Sequence, residues 1–290
     1  MVVASSRTET HLARRFGAVG ETGAIDEDGD VSEASGLRDL GRRPESVIVE
    51  EPLEVRVDGV AVTTTMRTPG HDFELAVGWC HAEGLLDGAP VRSVRYCATG
   101  SAVETGFNVV TVETAGRSAP PVPRLSAATS SCGTCGVEAV EGLTARLEPL
   151  PHGTTPEVAV VAGLAMQVSS EQELFALTGA SHAAAALRPG GETVVVREDI
   201  GRHNAVDKVV GRLLLDGDVP AHGMILWVSG RASFEMVQKA WAAGFATLVS
   251  VSAPSALAVR TAAGAGMMLV GFARDGRCTV YTDPRSGDRG

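Results

Sequence analysis

The sequence predicts an α/β protein in two parts. A small N-terminal α+β domain is followed by an α/β domain with a mainly parallel sheet covered by helices. Two patterns carry this. Between Val47 and Val112, strand-like alternation surrounds one helical stripe, whereas from His182 to Tyr281 apolar runs alternate with amphipathic segments. Size agrees, because 290 residues with 44% hydrophobic content can bury cores for two domains.

Residues 1–45 are rich in Gly, Ser, Ala and acids and read as a flexible tail. Ile25-Asp26-Glu27-Asp28-Gly29-Asp30 resembles part of a calcium loop, but no distal glutamate follows it. Order is expected from Ser46, with a first domain over 46–123. Leu53, Val55 and Val57 alternate with charged residues, and Asp58-Gly59 turns the chain into Val60-Ala61-Val62, which predicts a hairpin. Arg67 to Asp72 leads into a helix with Phe73, Ala76, Val77 and Cys80 on its buried stripe, stopped at Gly84. Strands are expected around Val91–Tyr96 and Asn108–Val112. The proline-rich Ala119–Pro123 reads as a stiff connector closing the domain.

The second domain is expected over 124–290. Helices read at Glu138–Leu147 and Glu157–Leu177, the latter broken near Ser169-Ser170. The strands His182–Leu187 and Thr193–Arg197 follow. Val206, Val209, Val210, Leu213 and Leu214 recur at helical spacing, so Asn204–Leu215 is an amphipathic helix with a polar cluster at its start. Strands at Met224–Val228, Thr247–Val251 and Met267–Phe272 alternate with helices at Ser233–Ala243 and Ser255–Ala263. Such alternation implies right-handed crossovers and parallel pairing.

Charge and cysteine usage narrow the function. A formal charge of -10 argues against a dedicated nucleic-acid binder. No apolar run approaches a membrane span, and Arg14-Arg15 is not followed by an export-signal segment. Five mostly scattered cysteines suit a reducing cytoplasm better than a disulfide scaffold. Cys80, Cys97 and Cys278 read as small buried hydrophobes, Trp79, Trp227 and Trp241 as packing residues, and His182 as a core histidine or, alternatively, a strand-end residue near a bound cofactor.

One cysteine pair stands apart. Cys132-Gly133-Thr134-Cys135 lies in a Gly/Ser-rich loop before a helix-like stretch. Two thiols at this spacing serve half of a zinc site, a dithiol/disulfide couple, or the receipt and passing on of a sulfur atom. The zinc reading needs two further ligands, and no second CxxC or closely spaced His pair supplies them. Two turns could hold an anion. Ser229-Gly230-Arg231 stands where a strand gives way to a helix, and Phe272-Ala273-Arg274-Asp275-Gly276-Arg277 joins two strands with two arginines. An ordinary solvated loop is the plain alternative for each. Arg202 and His203 equally read as a helix cap, and Asp207 and Lys208 as a surface ion pair.

Taken together, Arg67-Thr68-Pro69-Gly70-His71-Asp72-Phe73-Glu74, Ser131-Cys132-Gly133-Thr134-Cys135-Gly136, the Arg197–Lys208 run and Ser229-Gly230-Arg231 resemble the formate dehydrogenase accessory sulfurtransferases, the FdhD family. The resemblance covers about Val47 to Pro284. It implies a cytidine-deaminase-like second domain and a homodimer. It also implies a persulfide carrier that takes sulfur from a cysteine desulfurase for the molybdenum bis(molybdopterin guanine dinucleotide) of formate dehydrogenase. That molybdenum compound would be a client; no permanent cofactor and no metal is expected. Cys132 matches the persulfide-carrying residue, with Cys135 its partner, and Phe272–Arg277 matches the cofactor-binding segment. By placement, Arg202 and His203 would face the metal end of the client, with Arg274 and Arg277 at a guanine or phosphate end. Two rivals stay open: a sheltering chaperone with the CxxC as a zinc clip, and a zinc nucleobase deaminase using His81-Ala82-Glu83 with the CxxC. Against the deaminase, Ser131 stands where a proline should precede Cys132, and His81 lies at the end of its helix.

Overall fold

The structure, a computed structural model, describes residues 6–18, 31–32, 37–86, 88–97, 101–117, 144–145, 147–151 and 155–285. Cys132, Cys135, the Ala119–Pro123 connector and the helix expected to start at Glu138 fall mostly or wholly outside these residues.

The chain begins with β1 (Thr8–Ala18), β2 (Val31–Ser32) and β3 (Leu37–Ile48), an antiparallel sheet in the order β1-β3-β2. Parts of the stretch read as a flexible tail, residues 8–18 and 37–45, are thus paired strand. Cross-strand pairing from Thr8↔Ile48 to Ala18↔Leu37 supplies the order that sparse apolar content hides.

The hairpin forms as its alternation predicts, from β4 (Glu51–Val57) and β5 (Val60–Arg67). Asp58 and Gly59 both take positive φ (47° and 86°), the geometry that follows strand twist in a two-residue turn. After α1 (Asp72–Ala82) come β6 (Ser93–Tyr96) and β7 (Val109–Glu113), giving a four-stranded sheet in the order β5-β4-β7-β6. Leu53, Val55, Val110 and Val112 of the sheet meet Leu75, Val77 and Cys80 of α1 in one core.

The second unit starts with α2 (Val158–Ser169) and α3 (Glu173–Thr178), separated where the break was expected. Next come β8 (His182–Leu187), β9 (Thr193–Asp199), α4 (Arg202–Asp216), β10 (Ile225–Val228), α5 (Phe234–Ala242), β11 (Thr247–Ser250), α6 (Ala256–Ala265), β12 (Met268–Arg274) and β13 (Arg277–Thr282). The sheet order is β13-β12-β11-β10-β8-β9. The α/β class holds, with a difference in detail: β10, β11 and β12 run parallel, while β8–β9, β8–β10 and β12–β13 pair antiparallel. The parallel part is thus the centre, and each side carries a hairpin.

Helices cover both faces of this sheet. Val206, Val209 and Leu213 of α4 and Met236 and Val237 of α5 pack with Ala184, Ala186 and Val228. Val161, Leu164 and Val168 of α2 pack with Ala183, Ala185, Leu187 and Trp227 on the other face. An almost all-alanine β8 is apolar on both faces because both are covered.

The two units meet through α1 and α4. A side chain on Gly78 would overlap the Asp207 carbonyl, and one on Gly211 would overlap the Glu74 carbonyl, so the helices touch backbone to backbone. No described helix is long and apolar enough to cross a membrane.

Candidate functional site

Much of the longest sequence motif is consumed by this junction. Arg67, 1% exposed, makes a two-pronged bond to Asp72 (3.1 and 2.9 Å) and also donates to Glu51 and Asn108. Asp199 accepts from Thr68 N (3.2 Å), Gly201 N (2.8 Å) and Asn204 Nδ2 (3.0 Å), and pairs with Lys208 Nζ at 2.7 Å. Lys208 also donates to the Thr68 carbonyl, and Asn204 to that of Met66. Asp207 pairs with Lys239 at 2.6 Å. The surface ion pair expected of Asp207 and Lys208 is therefore corrected: both are buried, and each has a different partner. Burial pushes the Asp207 carboxyl up, and Lys239 opposes that.

Neighbouring residues brace the same seam. Arg197 grips Glu74 through Nε (2.6 Å) and Nη2 (2.9 Å). Burial raises the Glu74 pKa, but the bonds to Arg197 and His71 outweigh it and hold the carboxyl at about 2. Glu198 accepts from the Leu174 and Phe175 amides and the Ser181 hydroxyl, which caps the start of α3. His81 Nε2 donates to the Ala242 carbonyl at 2.9 Å, and burial pushes the adjacent Cys80 thiol far up. Among the described residues no group of three or more His, Cys, Asp or Glu could hold a metal ion.

What the junction leaves free lies at the carboxyl ends of the parallel strands, where open α/β sheets take ligands. A cavity of about 880 Å³ opens there between α2, α3 and the sheet edge. Of the turn residues named from sequence, Ser229, Arg274, Asp275 and Gly276 line it, joined by Met166, Phe175 and Trp227. Gly230 follows Ser229, and a Cβ there would stand in ordinary contact, 3.5 Å from Arg202 Cδ and 3.7 Å from the His182 ring. Its carbonyl accepts from Ser250 Oγ at 2.7 Å.

The other named residues separate. His203 Nε2 lies 2.5 Å from Glu235 Oε2, a contact bridging α4 to α5, and the hydrogen bond from His203 holds the Glu235 carboxyl below its usual range. Arg231 is exposed, Arg277 stands 3.9 Å from Asp275, and neither is among the described residues that line the cavity. Ala273 is fully buried in the core under α2. Phe272 takes φ 51° at the irregularity between Gly271 and Arg274, and its ring stays 41% exposed. A bulky residue in left-handed geometry is costly, and such outliers cluster at functional sites.

Of the two places read for His182, core or strand end, the structure takes the strand end. His182 is only half-buried, lines the cavity, and pairs with Asp199 across β8–β9. Its Nδ1 lies 3.3 Å from Ser229 Oγ, which also accepts the Ala183 amide at 2.9 Å. A single polar residue at the head of an alanine strand was the available signal. Cys278, expected buried, is partly exposed on β13, while Cys80 and Cys97 are buried as read.

Known proteins place the chain. The sequence model of the FdhD/NarQ family matches residues 48–287. The protein named sulfur carrier protein FdhD in Mycolicibacterium paratuberculosis is 47% identical over 247 residues, covering 83% of this chain and 91% of that one. Its namesake in Streptomyces coelicolor is 46% identical over 253 residues, at 83% and 89% coverage. A crystal structure from Desulfotalea psychrophila, described as a formate dehydrogenase accessory protein, superposes with a TM-score of 0.72. It covers 97% of this chain and 99% of its own at 21% identity, a likeness of fold. With the matched region spanning both units and the junction that joins them, the chain belongs to the FdhD/NarQ family.

Proposed function

We propose that this chain carries sulfur in the maturation of formate dehydrogenase. It accepts sulfur as a persulfide on Cys132 from a cysteine desulfurase and delivers it to molybdenum bis(molybdopterin guanine dinucleotide). The observation that carries this is near-full-length similarity, at 42–47% identity among relatives each named a sulfur carrier. In chemical terms, a Cys135 thiolate attacking Cys132 Sγ would form the Cys132–Cys135 disulfide and expel the outer sulfur as hydrosulfide. The sulfane atom is reduced by two electrons and the two cysteines are oxidised. A reducing cytoplasm would then restore the dithiol. The proposal includes a homodimer, as the family resemblance implies.

The cavity supports the client side of the reading. At about 880 Å³ it lies within the range of small-molecule sites, and Arg274 offers a charge-assisted donor to a nucleotide arm. The test is mass spectrometry of the protein after incubation with a desulfurase and cysteine. Wild type gains one sulfur atom and Cys132→Ala gains none. A variant that still loads sulfur and fully activates the dehydrogenase removes Cys132 from the reading.

A further inference from the structure

His182 has no part in the sulfur chemistry just described, yet its surroundings are specific. Ser229 Oγ accepts the Ala183 amide, so its own proton is left to give, and His182 Nδ1 at 3.3 Å is positioned to receive it. A neutral ring held this way carries its proton on Nε2, as a donor. Burial favours the neutral ring, Arg202 and His203 on α4 favour it further, and Asp199 on β9 acts against them. Arg274 and Asp275 stand on the cavity wall.

Two buried donors near His182 stand unused. Among the described residues Arg202 Nε is buried without a hydrogen-bond partner, and so is the indole Nε1 of Trp227, a residue 1% exposed that forms part of the cavity wall. Buried donors left this way call for an acceptor, and none stands within reach among the described residues. Glycine at 230 lets that acceptor approach the backbone between Arg202 and His182.

We propose that His182, Ser229, Gly230 and Arg202 form an anion subsite that takes a phosphate oxygen of the client's guanine nucleotide arm, which puts Arg202 at the phosphate rather than at the metal end where its place in the sequence put it. The inference rests on the nucleotide reading above and adds the part of the ligand that this corner grips. Neutral His182 gives one hydrogen bond from Nε2. Protonated, it also gives a positive charge, so binding tightens in acid.

Calorimetry of the full chain with GDP tests this, with pyrophosphate as a competitor that lacks the base. His182→Ala should weaken GDP about tenfold, as for loss of one hydrogen bond to a charged group. It should weaken pyrophosphate competition by a similar factor. His182→Gln keeps a donor amide and should bind GDP near wild type at about pH 7.5, yet lack the tightening that wild type shows at about pH 5.5. Unchanged GDP and pyrophosphate binding in His182→Ala overturns the subsite alone. So does a His182→Gln variant that tightens in acid as wild type does. A wild-type chain that binds no GDP overturns the subsite and the nucleotide reading together.

Discussion

Replacing Lys208 by methionine tests whether the Arg197–Lys208 run is a structural joint. Lys208 and Asp199 are 1% and 0% exposed, and the ammonium also bonds the Thr68 and Glu198 carbonyls at 3.0 and 3.4 Å. Methionine preserves the aliphatic stem, so packing changes little. What changes is charge: Asp199 keeps three N–H donors but loses its counter-ion. Removing one partner of a buried pair costs about 3–5 kcal/mol, a large share of the ~5–15 kcal/mol that stabilises a folded domain. For a unit of this size that lowers Tm by roughly 6–20 °C. Urea denaturation followed by circular dichroism and by fluorescence of the 3 tryptophans measures it. Because the pair is coupled, Lys208→Met with Asp199→Asn should cost less than the sum of the singles by at least ~2 kcal/mol. GDP affinity of the folded fraction should stay near wild type. Single variants within ~1 kcal/mol of wild type, or strictly additive ones, refute the joint. So does a fully stable Lys208→Met that no longer binds GDP, which would move Lys208 into the site.

Two further predictions concern the same seam. Gly211→Ala forces α1 and α4 apart at the Glu74 carbonyl and should cost at least ~3 kcal/mol, whereas alanine at the exposed Gly163 of α2, where nothing lies within 4 Å, should be neutral or stabilising by denaturant titration. Glu74, with its folded pKa depressed to about 2, contributes stability that is present above its unfolded value of 4.5 and lost as pH falls toward 2. Glu74→Gln should therefore be much less stable than wild type at neutral pH, with the gap narrowing in acid; a gap independent of pH would assign its role to packing.

The sequence by itself determined the elements whose signals are local. Alternation at Leu53, Val55 and Val57 with the Asp58-Gly59 turn is a hairpin in any context, and the 3.6-residue recurrence from Val206 to Leu214 is a helix. The same locality exposed the Ser229-Gly230-Arg231 turn, because a strand end and a helix start can be read from adjacent residues. Only the tertiary structure decided the rest. Order in β1 and β3 comes from partners up to 40 positions away, and Leu12 or Phe16 gives no period to announce it. Sheet direction followed the same rule: β8 and β9 read as strands, but nothing in their own residues says that β8 runs against β10. The motif charges are the clearest case. Arg197 with Glu74, and Thr68 with Asp199, lie more than 120 residues apart in sequence, so whether they bind a ligand or each other depends on how the units dock. Docking turned them inward, where a buried charge must be paired. It left His182 at a strand end, facing the cavity that α2 and α3 border.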